Sequence, residues 1–152
     1  MRIALDTNIL AYAEGVGSKP QRDASLKLLA ALPEDEVVIP TQTLGELYRV
    51  LTGKAGRDPA AAREAILAWS DSFSLADSTW TSFQSAMNIA GDHGLQIWDA
   101  LILAVAAESR CRLLLSEDFQ HGFTWSGVTV VNPYALKPHP LLKSILHPTP
   151  RG

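Results

Sequence analysis

Met1-Arg-Ile-Ala-Leu-Asp-Thr-Asn-Ile-Leu10 opens the chain. Ile3, Ala4 and Leu5 form an apolar run too short for a helix, and Asp6, Thr7 and Asn8 are residue types that favour turns and helix N-caps. The stretch reads as a buried strand that ends at Asp6 and gives way to a helix. In open α/β sheets ligands bind at the carboxyl ends of the strands, where loops and helix N-termini converge. Asp6 therefore either caps the first helix or faces a ligand, and on this stretch alone the two readings stand level.

Working outward, the same pattern recurs. A connection rich in glycine (residues 15–20) leads to a helix over residues 21–32, which Pro33 ends. Residues 36–40 form a second buried strand, and Thr41 opens a helix with one acid, Glu46, near its start. An alanine-rich helix follows over residues 60–71 and a short strand over 73–76. Asp77, Ser78 and Thr79 cap a helix running to Asp92, stopped by His93 and Gly94. Residues 96–109 leave almost no polar face, so this helix should be central and buried. Residues 112–115 and 128–131 are further strands. Such alternation is the mark of an α/β protein with a parallel sheet. Five of the nine prolines lie from Pro133 onward, so the tail over residues 133–152 is expected to be extended, packed on the surface or partly mobile.

Bulk composition narrows the class. With 152 residues, 47% of them hydrophobic, the chain can bury one good core and not two. The apolar run over residues 100–107 falls far short of the ~20 residues that a membrane span needs. Asp6 interrupts any signal-peptide core, and Cys111 is the only cysteine, so no internal disulfide forms. A cytoplasmic protein without a membrane segment is expected. Thirteen basic and 16 acidic residues give a net charge of -3, which argues against a broad basic surface holding nucleic acid by phosphate neutralisation alone. A nucleic-acid partner would then call for a bound divalent cation.

Four acids share one kind of position. Asp6, Glu46, Asp99 and Asp118 each lie at a strand end or near a helix start, and a parallel sheet would gather them at one edge. Each has a bland alternative. Glu46 follows Thr43 at capping-box spacing, Asp99 could face the positive end of its own helix, and Asp118 with Glu117 could be ordinary turn acids. Asp99, however, sits among Ile97, Trp98, Ala100, Leu101 and Ile102 with no lysine or arginine within ten positions. An unpaired carboxylate in such a setting costs several kcal/mol, so it needs a partner. A shared metal ion answers all four positions at once. Carboxylates without clustered Cys or His suit Mg²⁺ or Mn²⁺ rather than Zn²⁺. His93, His121, His139 and His147 are scattered and read as surface residues.

These residues resemble the PIN domain ribonucleases, and within them the toxins of VapBC-type toxin-antitoxin pairs. The resemblance rests on Leu5-Asp6-Thr7-Asn8, Gly45-Glu46-Leu47, the run from Ile97 through Trp98 and Asp99 to Ile102, and Leu115-Ser116-Glu117-Asp118-Phe119. It covers residues 1–132, a PIN-like nuclease domain followed by the proline-rich tail. It implies a three-layer α/β/α sandwich with a central parallel sheet and a Mg²⁺- or Mn²⁺-dependent endoribonuclease site. Asp6, Glu46, Asp99 and Asp118 would be the metal-binding acids, and Thr7, Asn8 and Ser116 their polar supports. Glu117 could share or replace the role of Asp118. The family also implies a small antitoxin partner and a homodimer.

The chemistry expected is attack of water on an RNA phosphodiester. Arg49, Lys54, Arg57 and Arg63 form the densest basic region and are candidates for gripping RNA, although a solvated helix face accounts for at least two of them. Core packing is expected of Trp98 and Tyr48, with base stacking as the alternative. Other readings are a PIN nuclease of RNA processing without a toxin role, a PIN-fold RNA- or protein-binding module without activity, and a phosphatase that forms an aspartyl phosphate. The last ranks low because the usual Asp-x-Asp pattern requires an acid where Asn8 stands.

Overall fold

Ile3, Ala4 and Leu5 are all fully buried, as the apolar run requires of a strand covered on both faces. They form β1 (Arg2–Leu5) in a computed structural model that describes residues 1–148. α1 (Thr7–Ala13) and α2 (Lys19–Ala31) lead to β2 (Val37–Pro40), then α3 (Thr41–Thr52) and α4 (Pro59–Ser72) to β3 (Ser74–Ala76). α5 (Trp80–His93) and α6 (Ile97–Glu108) lead on to β4 (Cys111–Leu115), β5 (Thr124–Trp125), β6 (Val128–Val131) and α7 (Pro140–Leu146). The sheet order is β3-β2-β1-β4-β6-β5, parallel except for β5. The expected three-layer α/β/α sandwich is the fold observed.

The period of two along each strand divides the core into two layers. Ile3, Leu5, Val37, Ile39, Leu113 and Leu115 face one way, onto α1, α2, α3, α4 and α7. Ala4, Val38, Leu114, Val128 and Val130 face the other way, onto α5 and α6. Residues Ala100 to Ala106 of α6 are all buried, as its lack of a polar face predicts. Gly94 closes α5 in the left-handed region at φ 67°, a conformation that glycine adopts without a Cβ clash.

Sequence order along the sheet reverses at the β1–β4 boundary. The chain moves outward from β1 through β2 to β3, then returns through α5 and α6 to start the other half at β4. Such a switch point leaves a crevice at the carboxyl ends of the two central strands. Asp6 follows β1 there and Ser116 follows β4.

Two elements differ from expectation. Residues 124–131 form a hairpin whose two-residue turn, Ser126 and Gly127, takes positive φ at both positions, 47° and 82°, which matches the right-handed twist of its strands. The proline-rich tail, expected to be extended, packed on the surface or partly mobile, contains α7, a helix the sequence reading does not place. Pro140 stands in the first turn, where a missing N–H costs nothing, and His139 Nδ1 accepts from the Leu141 N–H. Residues 149–152 of that tail lie outside the described residues. Leu142 is 3% exposed and joins the core layer of β1. Leu142→Ala should therefore lower unfolding free energy by about 2 kcal/mol or more in urea titration; a change under ~0.5 kcal/mol would mean that α7 contributes no packing.

Candidate active site

Asp6 leaves β1 with its backbone N–H still in the sheet, donating to the Leu115 carbonyl at 3.0 Å. The side chain is 1% exposed. One carboxylate oxygen accepts from the Thr7 N–H at 2.7 Å, and the other accepts from Ser116 Oγ at 2.6 Å. Asp6 thus caps α1 and also ties β1 to β4, so the two readings of the sequence are compatible. Burial pushes its carboxyl from the ordinary 3.8 up to about 7; the two hydrogen bonds oppose the shift, and the charges of Asp118 and Asp99 add to it.

Glu46 does not close a capping box. The N-cap of α3 is Pro40, and Thr43 Oγ1 instead donates to the Leu5 carbonyl at 3.1 Å, fastening α3 to the end of β1. Glu46 accepts from Thr7 Oγ1 at 2.7 Å and from Gln42 Nε2 at 3.0 Å. Gln42 Nε2 also donates to the Trp98 carbonyl at 3.0 Å, which joins α3 to the start of α6.

Asp99 stands in the first turn of α6, where the capping is done by another residue. Gln96 Oε1 accepts from the Trp98 and Asp99 N–H groups at 2.8 and 3.0 Å. The Asp99 carboxylate is left without a hydrogen bond among the described residues. Burial raises its carboxyl from 3.8 to about 6, and the charges of Asp118 and Glu46 raise it further in the same sense. Asp118 is exposed; its carboxylate accepts from Asn8 Nδ2 at 3.0 Å, and its N–H donates to Ser116 Oγ at 3.1 Å. Ser116 therefore holds both Asp6 and the turn that carries Asp118.

Thr7, Asn8, Glu46, Asp99 and Asp118 line one cleft of about 430 Å³, with Arg49 and Lys54 on its rim. Glu117 is turned from the cleft: the Tyr12 hydroxyl donates to it, and burial followed by this bond pushes the phenol up to about 12. Arg57 also points elsewhere, donating to the Glu14 carboxylate at 2.9 Å and to the Glu14 carbonyl at 3.0 Å, so it supports the fold rather than the cleft. Arg63 is exposed and does not line the cleft. The sequence does not single out Gln42 or Gln96, and it offers Thr43 only as a capping partner of Glu46. A Gln in the first turn of a helix or at its N-cap is too common to stand out.

Among the described residues, no Lys or Arg comes within 4 Å of Asp6, Glu46, Asp99 or Asp118, and no three of these side chains are close enough to chelate one ion unaided. The donor set is nonetheless that of a hard cation, consisting of carboxylate, amide and hydroxyl oxygens. Among the described residues, Asn8 Oδ1 and Gln42 Oε1 are buried acceptors without a donor, each on an amide whose nitrogen donates to other oxygens. Mg²⁺ keeps several of its waters and binds through one or two carboxylates, so well-separated acids fit a hydrated ion better than a bare one. The residues present fit a divalent cation.

A sequence model of the PIN domain matches residues 3–122, and the chain belongs to that family. No curated protein matches the sequence. Among solved structures, the chain is similar to Mycobacterium tuberculosis VapC20, a sarcin-ricin loop cleaving toxin, with TM-score 0.65 and 21% identity over 76% of this chain and 91% of that one. It is similar to a chain of a toxin-antitoxin complex from Klebsiella pneumoniae, with TM-score 0.65 and 23% identity over 87% and 98%. FitAcB from Neisseria gonorrhoeae gives TM-score 0.61 and 21% identity over 88% and 99%. At these identities the likeness is one of fold. No helix among the described residues is long and apolar enough to cross a membrane.

The raised carboxyls set a pH dependence. Between their unfolded value near 3.8 and the folded values of about 7 and 6, the folded chain holds protons on Asp6 and Asp99 that the unfolded chain releases. Rising pH across that window therefore destabilises the metal-free fold. In chelator, the Tm of Asp6→Asn should fall less than that of wild type between pH 5 and 7.5, and added Mg²⁺ should raise the wild-type Tm most at the alkaline end. Parallel pH profiles for the two proteins would contradict this.

Proposed function

We propose that this chain is a divalent-metal-dependent endoribonuclease, the toxin of a VapBC-type toxin-antitoxin pair. The observation that carries the reading is the gathering of Glu46, Asp99 and Asp118 around one cleft of a PIN fold, with Asp6 buried beside it and, among the described residues, no Lys or Arg paired to any of the four. Asp99 and Asp118, least committed to hydrogen bonds within the fold, would hold the ion, Mg²⁺ or Mn²⁺, with Asp6 and Glu46 completing its surroundings. The chemistry a divalent ion supplies at such an edge is acidification of an attacking water and neutralisation of charge growing on the phosphodiester.

The chain's own residues do the positioning. Ser116 and the Thr7 N–H fix Asp6, Thr7 Oγ1 and Gln42 fix Glu46, and Asn8 orients Asp118. Preset groups of this kind need no reorganisation when charge develops in the transition state. Arg49 and Lys54 on the rim bring positive charge to the phosphates that flank the cut. The toxin reading draws support from the PIN fold shared with VapC20 and with the Klebsiella complex. It includes a small antitoxin that covers the cleft and a homodimer in solution.

Asp99→Asn should reduce RNA cleavage by about 100-fold or more, the scale of losing a group that stabilises transition-state charge. EDTA should abolish wild-type cleavage and excess Mg²⁺ or Mn²⁺ restore it. The same substitution should relieve growth arrest on expression. Cleavage indifferent to both EDTA and Asp99→Asn would rule the mechanism out, and arrest by the inactive variant would separate toxicity from RNA cleavage.

A further inference from the structure

Trp98 was expected in the core, yet it is 48% exposed. Its neighbours do not hide it. Phe83 meets the indole edge-to-face with ring centroids 6.2 Å apart, and Trp80 stacks on Phe83 at 6.2 Å, so three aromatic rings form a braced ladder from α5 to the start of α6. Such bracing fixes the ring without covering it.

The exposed indole is a wall shared by two cavities. One is the acidic cleft; the other, of about 630 Å³, lies between the first turns of α3 and α6 and the residues after β3. Glu46, Arg49 and Trp98 line both. Gly45 forms part of the second cavity, and a Cβ placed on it would meet nothing within 4 Å. The absence of a side chain there leaves space in the cavity that Trp98 also lines. Arg49, on the wall between the cavities, has no carboxylate within 4 Å among the described residues.

We infer that the second cavity seats an unpaired nucleobase of the RNA, stacked on Trp98, while the phosphate attached to it meets Arg49 and the chain continues over the acids. This rests on the nuclease reading and adds a subsite to it. A nucleotide is the occupant whose chemistry fits the arrangement: a flat π-face for the indole, joined by a short linker to an anion for the guanidinium, in a cavity that shares Glu46, Arg49 and Trp98 with the cleft. A protein side chain would use the aromatic wall but has no need of Arg49 or of the shared border with the acids. Stacking on an aromatic face is worth about 1–3 kcal/mol per base, or roughly 5- to 150-fold in affinity.

The test is steady-state cleavage of short single-stranded RNAs by wild type, Trp98→Ala, Trp98→Phe and Gly45→Leu. Leucine favours the helix over glycine by about 1 kcal/mol, so Gly45→Leu puts a side chain into the cavity without weakening α3. Trp98→Ala and Gly45→Leu should raise KM about 5- to 150-fold with kcat within about threefold, and Trp98→Phe should retain most of the affinity. Replacing one base of the RNA by an abasic residue should cost wild type the same factor at a single position and cost Trp98→Ala nothing further. Unchanged KM in both Trp98→Ala and Gly45→Leu overturns the subsite while leaving the nuclease intact. So does a Trp98→Ala that alters self-association but not KM, because the ladder would then be a protein contact. A wild type that cleaves no RNA sinks the nuclease reading; in that event, RNA quenching of tryptophan fluorescence that disappears in Trp98→Phe upholds the subsite, and no such quenching overturns it as well.

Discussion

Ser116 Oγ reaches across from the end of β4 to the buried carboxylate at the end of β1, and much of the molecule is arranged to make that 2.6 Å hydrogen bond possible. It needs the two central strands in parallel register, Leu5 beside Leu115, and their carboxyl ends level. After a long excursion through β2 and β3, α6 brings Asp99 near enough for its charge to raise the Asp6 carboxyl further. The hydrogen bond only partly offsets burial, since the Asp6 carboxyl still stands at about 7. The fold thus gathers carboxyl groups where burial favours their protonated form. A carboxyl perturbed in this way at a strand edge marks a candidate functional site.

Thr7 and Gln42 extend the same principle outward. Each presents hydrogen-bond donors to a carboxylate oxygen of Glu46, and Gln42 further ties α3 to the Trp98 carbonyl. Thr43 fastens the underlying turn to β1. Among the described residues, Asp6, Glu46 and Asp118 are therefore positioned by neutral donors rather than by lysine or arginine. Neutral donors fix geometry while leaving the net charge of the cleft negative, whereas an internal ion pair would cancel the attraction for a divalent ion.

Much of this could be read from residue order. Apolar runs such as Ile3-Ala4-Leu5 report burial on both faces, and the almost wholly apolar α6 reports a central helix, because these signals are strong and local. The common placement of the four acids followed from the α/β alternation. What could not be read depended on tertiary context. The Thr43 and Glu46 spacing matches a capping box, but helix α3 begins at Thr41, so the pair faces two different partners. Trp98 and Tyr48 look like core residues by composition, yet they are 48% and 40% exposed. Arg57 could not be separated from Arg49 and Lys54 by sequence, since its partner Glu14 is distant along the chain. Helix α7 was obscured by the prolines around it, one of which is well tolerated in a first turn.

The central claim is that a divalent ion sits among these acids. Crystals soaked in Mn²⁺ and measured for anomalous scattering test it most directly. The account predicts a peak in the cleft within coordination or water-bridged reach of Asp99 and Asp118, and none in crystals of Asp99→Asn. A cleft empty of Mn²⁺ at concentrations that sustain RNA cleavage, or an ion bound elsewhere in the chain, would contradict it.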